Sequence, residues 1–205
     1  MKRKERGERR RIPPAHHVAP PPIPSPARAI RAAREYPIEG CWTFADWTEG
    51  GMTVVAVARR QPQGRILLGA YVVDYYCLGV KDAYFRANIP QEDFYGDVLP
   101  TALQGRAYIR ISTGLAHELV WGAVEYAEQF GFRPHRDFRQ AKLVLDPPDA
   151  NPRPGLVEFG YEGKPFYIQG PHDDVDRILE QLRSTAGDGN YDVMIGMQPP
   201  DMLDE

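Results

Sequence analysis

Two runs of apolar residues on either side of a short polar turn form the clearest pattern in the chain. Residues 52–59 and 65–77 flank the turn Gln61-Pro62-Gln63-Gly64, and each run carries apolar side chains on both of its faces. Strands that are apolar on both faces lie inside a sheet rather than at its edge. The pattern therefore predicts a hairpin over about 52–77 whose strands are internal to a sheet.

A second, weaker alternation of apolar and polar positions occurs later in the chain. Residues 156–161 and 165–169 flank Glu162-Gly163-Lys164, and Pro165 opens the second run. Because proline has no N–H to give to a neighbouring strand, we expect this second strand to begin at a sheet edge. The pattern predicts a second hairpin over about 156–169.

Two segments have helical spacing. Residues 114–130 follow the candidate caps Ser112 and Thr113 and stop at Gly131, while residues 173–184 open with three aspartates, which a helix N-terminus favours. Two hairpins with separate helices predict an α+β fold, in which the helices pack on a mainly antiparallel sheet.

The helix predicted over 114–130 is apolar nearly all round, so either two layers of the protein or a partner must cover it. Val120, Trp121 and Val124 lie off its main apolar stripe. They form a candidate patch for a protein partner or for a second copy of the chain, since aromatic anchors dominate interface energetics.

Charge divides the chain into unlike parts. Residues 1–35 hold ten Lys/Arg against three Glu, a net charge of +7, and residues 36–205 hold fifteen against twenty-five Asp/Glu, a net charge of −10. A basic, proline-rich segment without an apolar face cannot bury enough surface to fold. We expect a disordered arm over 1–35, a single domain over 36–197 and a frayed acidic tail over 198–205.

The cysteines and the N-terminus suggest where the protein resides. Cys41 and Cys77 belong to no Cys-x-x-Cys pair, and the basic N-terminus lacks the apolar stretch of a signal peptide. No run of residues is long and apolar enough for a membrane span. We therefore expect a reduced, cytoplasmic protein without a membrane partner.

Two basic segments indicate association with nucleic acid or with a ribonucleoprotein. Basic arms bind phosphate backbones by releasing counterions, and arginine combined with aromatic rings can grip a phosphate and stack a base. The alternatives for the arm are that it binds the acidic body of its own chain, binds an acidic partner, or serves only as a tether. The alternative for the second segment is a solvated turn in which Asp137 caps a helix. The candidate residues are Lys2, Arg3, Lys4, Arg9, Arg10 and Arg11 in the arm, and Arg133, His135, Arg136 and Arg139 near the two phenylalanines of 132–139.

Carboxylates at the end of the first hairpin indicate a different chemistry. Asp74 follows a strongly apolar run and Asp82 lies eight residues later, and two converging carboxylates can hold a divalent cation such as Mg²⁺. With His117 and Glu118 as further ligands or general base, these residues predict a metal-dependent hydrolase or nuclease. The ordinary alternative is that Asp74 only bonds backbone amides in the following turn.

The segment Gly170-Pro171-His172-Asp173-Asp174 enters the last predicted helix, and its two aspartates favour a cation over a phosphate there, with simple helix capping as the alternative. No complete catalytic or nucleotide-binding motif occurs in the chain. Three classes of function stay open: nucleic-acid association, which we favour, a metal-dependent enzyme, and a non-catalytic interaction module.

Overall fold

The computed structural model describes residues 22–196, and its largest element is a five-stranded antiparallel sheet with strand order β4-β3-β2-β1-β5. Strands β2 and β3 pair without interruption, from Met52 opposite Asp74 to Arg60 opposite Ile66, and both lie inside the sheet. The first predicted hairpin is thereby confirmed. The strands are β1 (Ile38–Phe44), β2 (Met52–Arg60), β3 (Ile66–Asp74), β4 (Gly79–Ile89) and β5 (Tyr108–Ile111).

Five helices accompany this sheet in the described part of the chain, and the predicted α+β class is confirmed. The predicted helices 114–130 and 173–184 correspond to α3 and α5. Both α2 and α3 contain a stretch of wider, π-type turn, Phe94–Val98 in α2 and Glu118–Gly122 in α3. The helices are α1 (Pro26–Arg31), α2 (91–102), α3 (113–129), α4 (Phe138–Ala141) and α5 (Val175–Thr185).

The sheet is covered on both faces. One face packs in a cluster that includes residues of α1, α3 and α4, and the other packs against α2 through Phe94, Val98 and Leu99. The alternation of Val54 and Val55 along β2 places one valine in each cluster. Apolar residues on both faces of the central strands are therefore required by this three-layer arrangement.

The patch predicted at Trp121 is not on the surface. Val120, Trp121 and Val124 are all buried, and Val157 and Phe159 pack against the same cluster from the segment that follows α4. Trp121 also donates its indole N–H to the carbonyl of Asp146 at 3.3 Å. The protein's own chain thus covers this helix on the side away from the sheet, so this face is not available to a partner.

The second predicted hairpin has a different structure. Its turn keeps a single bridge between Tyr161 and Lys164, and residues 156–160 form no strand. The reason is that the amide of Val157 is bound by the carboxylate of Glu118 and not by another strand. The residues after Pro165 instead form β6 (Phe166–Ile168), which pairs in parallel with β7 (Asp192–Met194).

Packed structure begins N-terminal to the boundary predicted at residue 36. Ala29, Ile30 and Ala33 are buried, and Ile30 and Ala33 belong to the main core cluster. Residues 1–21 and 197–205 lie outside the described residues, and so do the six basic arm residues singled out above and the predicted acidic tail. No helix within 22–196 is long and apolar enough to cross a membrane.

Candidate functional site

A pocket of about 500 Å³ lies between the start of β4, the loop after α3 and the first turn of α5. We call it the basic pocket. Its apolar wall includes Val80 and Phe132, and its polar wall combines groups from three separate segments. The basic residues in its lining are Lys81, Arg133, His135, His172 and Arg177.

The docking of α5 on the end of α3 creates this pocket. The carbonyl of Phe130 accepts hydrogen bonds from Gln181 Nε2 at 2.9 Å and from Thr185 Oγ1 at 3.2 Å. The loop after α3 is fixed in turn by the amide of His135, which donates to the carbonyl of Val80 at 2.9 Å. These contacts bring the loop carrying Arg133 to the helix carrying Arg177.

Both aspartates of the basic pocket already have partners inside the protein. Asp173 Oδ2 accepts from Lys81 Nζ at 2.8 Å, from the amide of Gly170 at 2.8 Å and from the hydroxyl of Tyr167 at 3.2 Å. Partial burial opposes ionisation of Asp173, but the hydrogen bond from Lys81 and then that from Gly170 outweigh it, so its pKa lies below the usual value. Asp174 Oδ1 accepts from the amide of Arg177 at 3.3 Å and caps α5.

The cation expected near Gly170–Asp174 is therefore supplied by the chain itself, as the ammonium group of Lys81. Within 22–196, no carboxylate lies within ion-pair distance of the guanidinium of Arg133 or of Arg177, and both residues are exposed. The pocket thus presents two unpaired guanidinium groups beside Asp173, which Lys81 neutralises, and Asp174, whose carboxylate accepts the amide of Arg177. Such an arrangement suits an anion with several oxygen atoms.

The predicted Arg/His/Phe patch is divided by the structure. Arg133 and His135 line the basic pocket, whereas Arg136 and Arg139 are exposed and lie outside it. His135 Nδ1 also lies 3.4 Å from Asp82 Oδ1. Asp137 does precede α4, as expected of a cap, but its side chain makes no capping hydrogen bond.

Asp74 and Asp82 have different surroundings and different partners. Asp74 is buried, and its Oδ1 accepts the amides of Tyr76 at 3.1 Å and Cys77 at 2.9 Å, as in the ordinary turn interpretation. Burial raises the pKa of Asp74 to about 6. Asp82 is exposed at the sheet edge beside His135. In the part of the chain that the structure describes, no three His, Cys, Asp or Glu side chains are grouped so as to hold a metal ion.

His117 and Glu118 are buried and face the segment that follows α4. His117 Nε2 lies 3.3 Å from the side-chain nitrogen Nδ2 of Asn151, and burial lowers the pKa of the imidazole. Glu118 accepts the amides of Gly155 and Val157, each at 3.0 Å. These two neighbours therefore bind adjacent parts of one loop, and neither lines the basic pocket.

Sequence reasoning did not identify Lys81 and Arg177 as site residues, and it considered His172 only as part of a cation site or cap. The basic segment 132–139 and the helix start at 170–174 are both visible in the sequence, but no local pattern shows that the two are adjacent in the fold. The structure joins them in the lining of one pocket. Comparisons of the chain with protein-family models, with curated proteins and with solved structures gave no match, so this geometry alone supports a functional assignment.

Proposed function

We propose that the protein associates with nucleic acid and that the basic pocket holds a backbone phosphate. One observation carries the proposal: Arg133 and Arg177, from segments far apart in sequence, line the same pocket without carboxylate partners among the described residues. Arginine presents a planar fork of donors that matches two phosphate oxygens. Two guanidinium groups on one pocket can bind one phosphate together or two successive phosphates.

Rings beside these cations supply the second element of nucleic-acid binding. Phe132 and His172 line the same pocket, and aromatic side chains stack on unpaired bases without regard to sequence. A single-stranded ligand offers both exposed bases and phosphates. We therefore favour single-stranded RNA or DNA over a duplex.

The charge of the chain determines how this binding depends on salt. Residues 36–205 carry a net charge of −10, which repels a polyanion at long range, whereas residues 1–35, with a net charge of +7, attract it. Attachment must then come from local cationic surfaces, which release condensed counterions as they bind phosphate. We expect weak, sequence-tolerant binding whose affinity falls steeply as salt rises.

The test compares two variants of equal charge change. The full chain is titrated into a labelled single-stranded RNA, and into the DNA of the same sequence, at about 50 and 200 mM salt, with fluorescence anisotropy as the readout. The pocket variant carries Arg133→Gln and Arg177→Gln. The control variant carries Arg86→Gln and Arg183→Gln, two exposed arginines that do not line the pocket.

The pocket variant should bind more weakly, and its plot of log affinity against log salt should be shallower by about 0.7 where the two arginines share one phosphate, or by about 1.4 where each neutralises its own. The control variant should keep the wild-type slope. Equal losses in both variants would show that only net charge matters, and unchanged binding in the pocket variant would remove the pocket from the proposal. Replacing Lys2, Arg3, Lys4, Arg9, Arg10 and Arg11 by glutamine measures the contribution of these arm residues separately.

The metal-dependent hydrolase is the weaker alternative. Asp74 uses its carboxylate to bond two amides of the next turn, and Asp82 lies beside His135. Among the described residues, no hydrogen bond or ion pair joins the carboxylates of Asp74 and Asp82 to each other or to a common partner. The geometry therefore offers no specific support for a site that contains both.

A further inference from the structure

A second pocket, of about 290 Å³, has four aromatic side chains in its lining. The aromatic lining residues are Trp47, Tyr75, Tyr76 and Tyr161, and the acidic ones are Glu158 and Glu162. We call it the aromatic pocket. No Lys, Arg or His is among its lining residues, so its charge is opposite to that of the basic pocket.

The rings of the aromatic pocket meet at steep angles. The centroids of Tyr75 and Tyr76 are 5.0 Å apart with an interplanar angle of 73°, and those of Tyr76 and Tyr161 are 5.7 Å apart at 58°. Rings inclined in this way turn their faces in different directions instead of stacking on one another. Because the rings of each pair touch one another, a ligand lies in the space that they border together with Trp47 and not between the two rings of a pair.

Several backbone contacts hold these rings in place. Tyr75 donates its hydroxyl to the carbonyl of Trp47 at 2.7 Å, and the carbonyl of Tyr75 accepts the amide of Gly160 at 3.0 Å. The carbonyl of Tyr76 accepts the amide of Phe166 at 3.1 Å. Gly51 lies against the ring of Tyr76, where any Cβ would overlap that ring. The pocket is thus formed before any ligand arrives, which lowers the entropic cost of binding.

We propose that the aromatic pocket binds a quaternary alkylammonium group. The negative faces of aromatic rings attract cations, most strongly when the cation sheds its water easily, and methylation removes the N–H donors that hold water on an ammonium group. Glu158 and Glu162 add attraction for positive charge. The pocket's small volume accommodates a compact head group, carried either by a free small molecule or by a methylated lysine of a peptide.

This site is independent of the basic pocket, because the two share no lining residue. Failure of nucleic-acid binding would leave this proposal untouched. The carboxylates of the aromatic pocket also make it unsuitable for phosphate. One chain would therefore carry one site for an anion and another for an organic cation.

The experiment is a calorimetric titration of the full chain with choline, and with its uncharged carbon isostere 3,3-dimethylbutan-1-ol. A trimethyllysine peptide and the same peptide with unmodified lysine form a second pair. Binding of choline or of the trimethylated peptide, each tighter than its partner compound, supports the site and identifies the source of the group. Equal binding within both pairs, or no binding by any probe, overturns the proposal.

Variants at Tyr161 locate the binding, because its ring is half exposed and its loss should leave the fold intact. Tyr161→Leu should weaken binding about five-fold or more, whereas Tyr161→Phe, which keeps the ring, should stay within about two-fold of wild type. Tyr84→Leu removes an exposed tyrosine elsewhere and should change nothing. Equal effects of Tyr161→Leu and Tyr161→Phe would contradict a role for the ring.

Discussion

The guanidinium of Arg59 contacts the carboxylate of Asp146 at 2.5 Å, and it joins β2 to the segment after α4 across 87 positions of sequence. Arg59 is buried, and its remaining donors bind the carbonyl of Val144 at 2.6 Å and that of Tyr36 at 2.8 Å. These hydrogen bonds converge on loops that cover one side of the sheet.

Removing the carboxylate of this pair should destabilise the fold strongly. Asp146→Ala leaves a buried charge without its counter-ion, and we expect the free energy of unfolding to fall by about 3–5 kcal/mol. The matched control is Asp46→Ala, which breaks the exposed pair with Arg106 and should cost less than about 1 kcal/mol. Urea unfolding measures both, and similar losses in the two variants would contradict the buried role of Arg59.

Two glycines in helices should respond to alanine in opposite directions. Gly122 of α3 faces the ring of Phe159, which a Cβ would overlap, so Gly122→Ala should cost about 1–3 kcal/mol. Gly96 of α2 is exposed, with no neighbouring atom within 4 Å of the place that a Cβ would take, and Gly96→Ala should gain up to about 1 kcal/mol from helix propensity. Thermal unfolding measures whether each substitution raises or lowers stability. A stabilising Gly122→Ala would show that the ring of Phe159 moves aside freely.

The buried carboxyl of Asp74 should make stability depend on pH. Burial raises its pKa from 3.8 to about 6, so the folded state binds this proton more tightly than the unfolded chain does. Between these two pH values the contribution of Asp74 to stability falls as pH rises. Asp74→Asn stays neutral and keeps an oxygen for the two amides, so it should be more stable than wild type at about pH 7, by about 1–3 kcal/mol.

Comparing Asp74→Asn with wild type isolates the contribution of Asp74. Glu39, Glu125 and Asp173 have lowered pKa values, so their contributions to stability rise with pH, and they are present in both proteins. Urea unfolding at about pH 4 and about pH 7 is the measurement. The stability difference should almost vanish at the lower pH. A variant that is less stable at both pH values would mean that the turn needs the charged carboxylate.

The sequence predicted the elements whose apolar pattern is continuous and missed those that depend on tertiary contacts. The hairpin of β2 and β3 and the helix α3 are apolar on nearly every side, which only a buried element can sustain. By contrast, α2 contains Gly96 and Pro100, which normally interrupt a helix. Its helical form depends on the burial of Phe94 and Leu99 against the sheet.

The edge strands were missed for a related reason. Strand β4 mixes buried residues such as Val80 and Ala83 with exposed ones such as Asp82, as expected for a strand at the sheet margin. The basic pocket was beyond local patterns altogether, since its two arginines are brought together by hydrogen bonds from α5 to the carbonyl of Phe130. Packing between distant segments leaves no periodic trace in a single sequence.

Glu118 should control the order of the loop that covers α3. Its two carboxylate oxygens accept the amides of Gly155 and Val157, each at 3.0 Å, and hydrogen bonds to a buried charged acceptor are worth about 1.5–3 kcal/mol. In Glu118→Gln an NH₂ group replaces one oxygen and faces an N–H donor. We expect one of these amides to exchange its hydrogen about ten-fold faster or more, as measured by NMR.

Two internal references make this result specific. The amide of Gly160 is held by the carbonyl of Tyr75, so its exchange should stay at the wild-type rate. Glu125→Gln, on the same helix, loses only the exposed pair with Arg153 and should leave the amides of Gly155 and Val157 protected. Faster exchange of all three amides in Glu118→Gln would indicate general unfolding of the loop, and no change would show that other contacts hold it.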